Sequence, residues 1–367
     1  MLSENLTMAQ LPRFRRRDLL LSLLATTTLG ACQRGGSRSN QSGNPFVRSS
    51  QEFLLINGAG STFAAPLYLR WFSDYRQVDP QLEINYQPVG SAAGIRQFID
   101  NTLDFAASDV AISDAEIAEV KRGVVMIPMT AGSITIGYNL PGVPSGLKLS
   151  RSVLVDIFRG RITAWRDPRI LALNPDLEIP DLPIDVCYRS DGSGTTDTFT
   201  RHLNAIDPSW GAEIGVGMSL EWPVGIGVKG NEGMSAQMLL SEGVIGYVEF
   251  VYARDLNLTV AALENQAGQY ILPTLESAAI ALSEVELPEN LRAFIPDPVG
   301  IDAYPIVTYS WILTYRQYPN PAMAEALRAV LSWGLTEGQA LAEELGYLPL
   351  EQSVVERGLA ALEQIQV

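Results

Sequence analysis

Residues 53–75 read Phe-Leu-Leu-Ile-Asn-Gly-Ala-Gly-Ser-Thr-Phe-Ala-Ala-Pro-Leu-Tyr-Leu-Arg-Trp-Phe-Ser-Asp-Tyr. The apolar run 53–56 has the length and composition of a buried strand. Gly58 to Phe63 then forms a loop with little side-chain bulk. Pro66 suits the first turn of a helix, and Leu67, Tyr68, Trp71, Phe72 and Tyr75 follow at the 3–4 spacing of one buried face. Strand, small-residue turn and helix make up the repeating unit of an α/β protein.

The rest of the chain repeats that grammar. Leu82, Ile84 and Tyr86 alternate as a strand, residues 105–107 form a brief one, and Ser113 can cap a helix. Runs at 124–127, 134–138, 184–187, 244–248 and 306–313 read as further strands. Residues 322–333, 337–345 and 354–365 carry helical patterns. The expected fold class is therefore α/β. A length of 367 residues exceeds one hydrophobic core and fits two domains. No Pro/Ser-rich linker separates them, so strands that cross between the domains are the expected joint.

Composition narrows the function. With 47% hydrophobic and 18% charged residues the chain is ordinary globular protein. A net charge of −15 without a Lys/Arg-rich tract argues against nucleic acid, which is bound by neutralising phosphates. One histidine, His202, and two cysteines, Cys32 and Cys187, leave no ligand set for a metal and no histidine relay. No cofactor is expected.

The first 31 residues read as an address. Arg13, Arg15, Arg16 and Arg17 precede an apolar run at 19–29 that is too short to span a bilayer, the pattern of a secretory signal. It ends in Leu29-Gly30-Ala31-Cys32, which resembles a bacterial lipobox, with Cys32 cleaved, acylated and left as the new N-terminus. Ordinary cleavage beside an incidental cysteine is the other reading. Arg16-Arg17-Asp18-Leu19-Leu20 resembles a twin-arginine export motif. Residues 32–51, rich in Ser, Gly and Asn, read as a flexible tether. The expected location is the periplasmic side of the cytoplasmic membrane, held by lipid.

Three loops share one design: Gly58-Ala59-Gly60-Ser61-Thr62-Phe63, Gly90-Ser91-Ala92-Ala93-Gly94 and Arg189-Ser190-Asp191-Gly192-Ser193-Gly194-Thr195-Thr196. Each carries a hydroxyl and lies where a helix begins. There, free N–H groups and the helix dipole favour an anion. Tight turns also use Gly and Ser for conformation alone. Arg189 adds a planar charged fork suited to a tetrahedral oxyanion. Asp191 either orients that fork or caps the next helix. Asp109 repels an anion unless the ligand brings a proton to share, as phosphate does and fully ionised sulfate does not; otherwise it is a turn or N-cap residue.

The residues that carry a family resemblance are Gly58 to Pro66, Asp104-Phe105-Ala106-Ala107-Ser108-Asp109, Arg189 to Thr195, Trp222-Pro223-Val224-Gly225 with Lys229-Gly230-Asn231, and Gly243 to Glu249. In that order the chain resembles the phosphate-binding lipoproteins of bacterial phosphate ABC transporters, within the type II periplasmic binding proteins. The resemblance implies two α/β lobes joined by two crossover strands, with a ligand cleft between them. It implies lobe one at 52–138 plus 306–367 and lobe two at 139–305. It further implies inorganic phosphate held by Thr62, Phe63, Ser91, Asp109, Arg189, Ser193, Gly194 and Thr195. A monomer that delivers its ligand to transmembrane permease subunits would follow. The second loop departs from the family's Gly-Ser-Ser-Gly-Gly: Ala92 and Ala93 remove a hydroxyl and a glycine.

Rival readings are weaker. Ser193 is no nucleophile elbow, because Asp191 and not Gly stands two residues before it. His202 reads as a helix surface or boundary residue. Gly225-Ile226-Gly227-Val228-Lys229-Gly230 matches a dinucleotide fingerprint literally. However, Pro223 stands where the feeding strand would end, and no helical pattern starts at Gly230. Another proton-bearing oxyanion such as arsenate, or a sensory role without transport, would share the same site.

Overall fold

A computed structural model describes residues 53–283 and 285–367. The signal sequence, Cys32 and the tether lie outside the described residues. The strands are β1 (Leu54–Gly60), β2 (Leu82–Pro88), β3 (Phe105–Ser108), β4 (Val124–Tyr138), β5 (Lys148–Leu149), β6 (Asp185–Arg189), β7 (Ile226–Val228), β8 (Val244–Glu249), β9 (Thr259–Val260), β10 (Ala262–Glu264), β11 (Tyr270–Ile271) and β12 (Val307–Tyr315). The helices are α1 (Ala65–Val78), α2 (Ser91–Ile99), α3 (Asp114–Glu119), α4 (Arg151–Phe158), α5 (Pro168–Leu173), α6 (Gly194–Ile206), α7 (Ser209–Glu213), α8 (Gly230–Leu240), α9 (Phe250–Asp255), α10 (Leu275–Ser283), α11 (Pro321–Leu335), α12 (Gly338–Leu345) and α13 (Gln352–Leu362).

One mixed sheet dominates, in the order β2-β1-β3-β12-β4-β8-β6-β7, with β9 also on β4. β1 runs parallel to β2 and β3, and β6 runs parallel to β7 and β8. The centre is an antiparallel pair. β4 lies along β12 from Val124 to Ser133 and then changes partner, so that Ile134 to Tyr138 lie along β8. A single strand thus belongs to both halves of the sheet. The sequence divides it into two runs, and the reason is Pro128. Proline cannot donate to a ladder and is tolerated at bulges. Here the β12 register jumps from Ser310–Thr130 to Trp311–Pro128, leaving Met129 unpaired.

Three more boundaries differ from the sequence reading. β1 continues through Gly58-Ala59-Gly60, because these small residues let β3 approach. A Cβ on Gly58 would come within 2.1 Å of the Phe105 ring. α2 begins at Ser91, so Ala92 to Gly94 are helical rather than loop. A helix does begin at Gly230: α8 buries Met234 and Met238. Its opening Gly-Asn-Glu-Gly has poor helix propensity, which tertiary packing overrides. The glycine motif still does not precede a helix in dinucleotide fashion, since β7 runs inside it. Gly225 is needed where the chain meets β6: its φ is +104°, and a Cβ there would lie 2.3 Å from the Val186 carbonyl oxygen.

His202 also differs. It is not a surface residue, because the segment before β12 covers α6 and leaves the ring 1% exposed. Its Nδ1 lies 2.7 Å from the Pro296 carbonyl oxygen. Ser113 caps α3 as expected, in a full capping box with Glu116. Among the described residues no helix is long and apolar enough to cross a membrane.

Candidate functional site

The loops that follow β1, β2, β3 and β6 meet at the carboxyl ends of their strands, where open α/β sheets place ligands. The approach is close. Ala92 N–H donates to the Gly192 carbonyl oxygen at 3.1 Å. A Cβ on Gly194 would lie 2.7 Å from Ser91 Oγ and 2.9 Å from Asp109 Cβ. Gly194 therefore has to be glycine because the start of α6 rests against Asp109.

Asp109, directly after β3, is almost fully buried. Its Oδ1 accepts from Ser61 Oγ at 2.6 Å and from Ser310 Oγ at 2.7 Å. Its Oδ2 accepts from Ser91 Oγ at 3.2 Å. Burial raises the carboxyl's pKa above its usual range, and the three hydroxyls and Arg189 pull it back in part. Two short bonds occupy Oδ1, so Oδ2 is the oxygen with capacity left to accept.

Arg189 ends β6 with its side chain 1% exposed. Asp191 grips one edge of the guanidinium, Nε to Oδ1 at 2.7 Å and Nη2 to Oδ2 at 2.5 Å. Nη1 on the other edge reaches Thr195 Oγ1 at 3.5 Å. Burial would raise the Asp191 carboxyl, but the Arg189 fork and the Gly230 N–H outweigh it and hold the pKa below the ordinary carboxylate range. Behind the pair, Tyr247 accepts the Arg189 N–H at 3.0 Å, and its hydroxyl bonds Thr196 at 2.7 Å. Trp222 stacks against Tyr247 and Tyr188, so the aromatic core fixes the base of the arginine.

The remaining residues surround this pair of charges. Ser193, not Asp191, caps α6, accepting the Thr196 N–H at 3.1 Å. Thr62 Oγ1 accepts from the Asn231 side chain at 2.9 Å and its backbone N–H at 3.3 Å. Phe63 is fully buried with its ring beside Tyr347, and its carbonyl oxygen accepts the Tyr347 hydroxyl at 2.7 Å. All eight residues named from the sequence are thus gathered at the meeting of these loops. Three others join them unannounced: Ser61, Ser310 and Asn231. Ser61 and Asn231 lie inside stretches the sequence already singles out. Ser310 sits in a strand with no local signal. Among the described residues no cluster of His, Cys, Asp and Glu could hold a metal ion.

This arrangement can bind a small tetrahedral oxyanion. It offers helix N-termini, a fixed guanidinium, several hydroxyls and one buried carboxyl whose Oδ2 can accept a further hydrogen bond.

Comparison with known proteins agrees with this geometry. The PBP superfamily domain matches residues 28–337. The phosphate-binding protein PstS of Xylella fastidiosa (strain 9a5c) is 35% identical over 349 residues, covering 92% of this chain and 95% of the relative. The PstS of Pasteurella multocida is 37% identical over 305 residues, covering 82% and 88%. Among solved structures, the phosphate binding protein of Stenotrophomonas maltophilia superposes with a TM-score of 0.66 at 20% identity, over 84% of this chain and 93% of that one. The fold is that of the type II periplasmic binding proteins, and the chain belongs to the PstS family of the PBP superfamily.

Proposed function

We propose that this protein binds inorganic phosphate outside the cytoplasmic membrane and delivers it to the transmembrane subunits of a phosphate ABC transporter. The observation that carries the reading is Asp109 Oδ2, a buried acceptor within the field of Arg189, beside hydroxyls and helix N-termini. A carboxylate in an anion site is costly unless the ligand donates to it. Phosphate keeps a proton at neutral pH, and sulfate does not. The relatives' names support the same ligand.

In this reading Thr62, Phe63, Ser91 and Asp109 belong to lobe one, residues 52–138 plus 306–367. Arg189, Ser193, Gly194 and Thr195 belong to lobe two, residues 139–305. The partner change of β4 between Ser133 and Ile134, and the start of β12 at Val307, support the division. Ligand between the lobes would hold them closed by a hinge motion. The protein acts as a monomeric binder and not as an enzyme. The leader supports export and a lipid anchor on Cys32.

The test is mass spectrometry of the anion carried by the purified protein, followed by calorimetric titration of the stripped protein with phosphate and sulfate. Phosphate bound tightly and sulfate weakly is the expected result. Equal affinities, or no phosphate binding, would overturn the reading.

A further inference from the structure

Asn231 is fully buried, and its side-chain oxygen, its side-chain amide and its backbone N–H all have partners. Its Oδ1 accepts the Glu249 N–H at 3.1 Å. Its Nδ2 donates to Thr62 Oγ1 at 2.9 Å and reaches Thr195 Oγ1 at 3.5 Å. Its backbone N–H donates to the same Thr62 oxygen at 3.3 Å. The residue before it, Gly230, gives its N–H to Asp191 Oδ1 at 3.1 Å. The first turn of α8 therefore touches Thr62, Thr195 and the carboxylate that grips Arg189.

A hydroxyl oxygen has two lone pairs and one proton. Both lone pairs of Thr62 Oγ1 are taken by Asn231, so the only bond left to Thr62 is one it donates. We infer that Asn231 is a positioning residue that turns the Thr62 hydroxyl into an obligate donor toward the bound anion and latches the closed site. This rests on the phosphate reading above.

The latch joins the loop after β1 to the helix after β7, and those strands lie on opposite sides of the β12–β4 pair in the sheet order. The bond therefore holds the two halves of the sheet against each other. Tyr252 adds a second tie, its hydroxyl donating to the Thr62 carbonyl oxygen at 2.7 Å. A residue that acts only after closure alters ligand escape more than ligand arrival.

The test uses the full protein and inorganic phosphate, with association and dissociation followed by stopped flow. Asn231→Ala is expected to weaken binding roughly 3- to 12-fold, the net worth of one or so hydrogen bonds. The loss is expected in the dissociation rate, with the association rate little changed. Asn231→Asp keeps the acceptor for Glu249 but offers Thr62 a carboxylate instead of an amide donor. The Thr62 proton then turns away from the anion, so this variant is expected to bind more weakly than Asn231→Ala. Thr62→Val combined with Asn231→Ala is expected to be no weaker than Thr62→Val alone, since one acts through the other. Wild-type dissociation in both Asn231 variants, or losses that add in the double variant, would overturn the latch and leave phosphate binding intact. A wild-type protein that does not bind phosphate would overturn both.

Discussion

Ser310 Oγ donates to Asp109 Oδ1 at 2.7 Å across 201 residues of sequence, and Tyr68 donates in turn to Ser310 at 3.2 Å. The serine stands at the β-bulge between β12 and β4, where the register skips Met129. Bulges re-aim side chains. This one coincides with the hydroxyl that reaches the buried carboxyl, and so ties the central strand pair to Asp109.

Removing that hydroxyl leaves Oδ1 with Ser61 alone. Ser310→Ala is expected to raise the Asp109 pKa further and to weaken phosphate by about 1–2 kcal/mol at pH 7. Phosphate titration of both proteins as a function of pH checks it: the acid limb of binding in the variant should lie at higher pH than in wild type. Coincident limbs would mean that Ser61 and Ser91 suffice.

Asp109→Asn tests the carboxylate itself. Because burial raises the Asp109 pKa, the folded state holds a proton that the unfolded state has lost once pH exceeds about 3.9. Stability therefore falls as pH rises above that value, because the buried site disfavours the ionised carboxyl of the ligand-free fold. The variant is expected to melt higher than wild type at pH 7, with the difference shrinking toward pH 4. Its phosphate-to-sulfate affinity ratio is expected to fall, because an amide can donate to an unprotonated oxyanion. An unchanged ratio would place selectivity elsewhere.

Arg189→Ala removes the guanidinium proposed to hold the anion and strands Asp191. Phosphate binding is expected to weaken by about 2–4 kcal/mol, with Arg189→Lys recovering only part, since lysine cannot present a planar fork. Calorimetry at fixed salt decides it. A wild-type constant in the alanine variant would remove Arg189 from the site.

His202 gives a pH-dependent stability of opposite sign. Burial lowers its pKa to about 4, with the Pro296 carbonyl and Asp297 opposing that shift and Arg151 adding to it. The folded state then binds fewer protons than the unfolded state between about pH 4 and 6.5. The stabilisation is complete above 6.5 and is lost as pH falls toward 4, about 3 kcal/mol in all at ~1.36 kcal/mol per pKa unit. As the chain has one histidine, a single imidazole resonance reports it. A midpoint near 6.5 in the folded protein would contradict the burial. His202→Gln should flatten the stability slope in this range.

Cys32→Ala tests the anchor. The variant is expected to accumulate unprocessed or to appear in the soluble fraction, because a lipid cannot be attached. Stable anchoring by acylation needs more than one chain, so the wild-type cysteine is expected to be diacylated. Membrane attachment and processing unchanged in the variant would end the lipoprotein reading.

Much of the site is legible locally. Gly58, Gly194 and Gly225 mark close approaches of backbone or ring, and a glycine in a turn shows in the sequence whatever lies opposite. Arg189 and Asp191 stand two residues apart, so their pairing could be weighed from spacing alone. The start of α8 was hidden, because Gly230-Asn231-Glu232-Gly233 forms a helix only through the burial of Met234 and Met238. The burial of His202 is hidden for a related reason: what covers it arrives some ninety residues later, at Pro296.

The sequence by itself determined the α/β grammar and the placing of glycines, hydroxyls and Arg189 where strands give way to helices, all set by residues within a few positions of one another. The tertiary structure decided which hydroxyl serves which charge. Ser310 meets Asp109 over 201 residues, and Asn231 meets Thr62 over 169. Those pairings depend on how β4 divides between β12 and β8 and on one skipped residue in their register. Backbone conformation is a local property of the chain, but a hydrogen bond between distant elements exists only where sheet register and curvature bring both partners within about 3 Å.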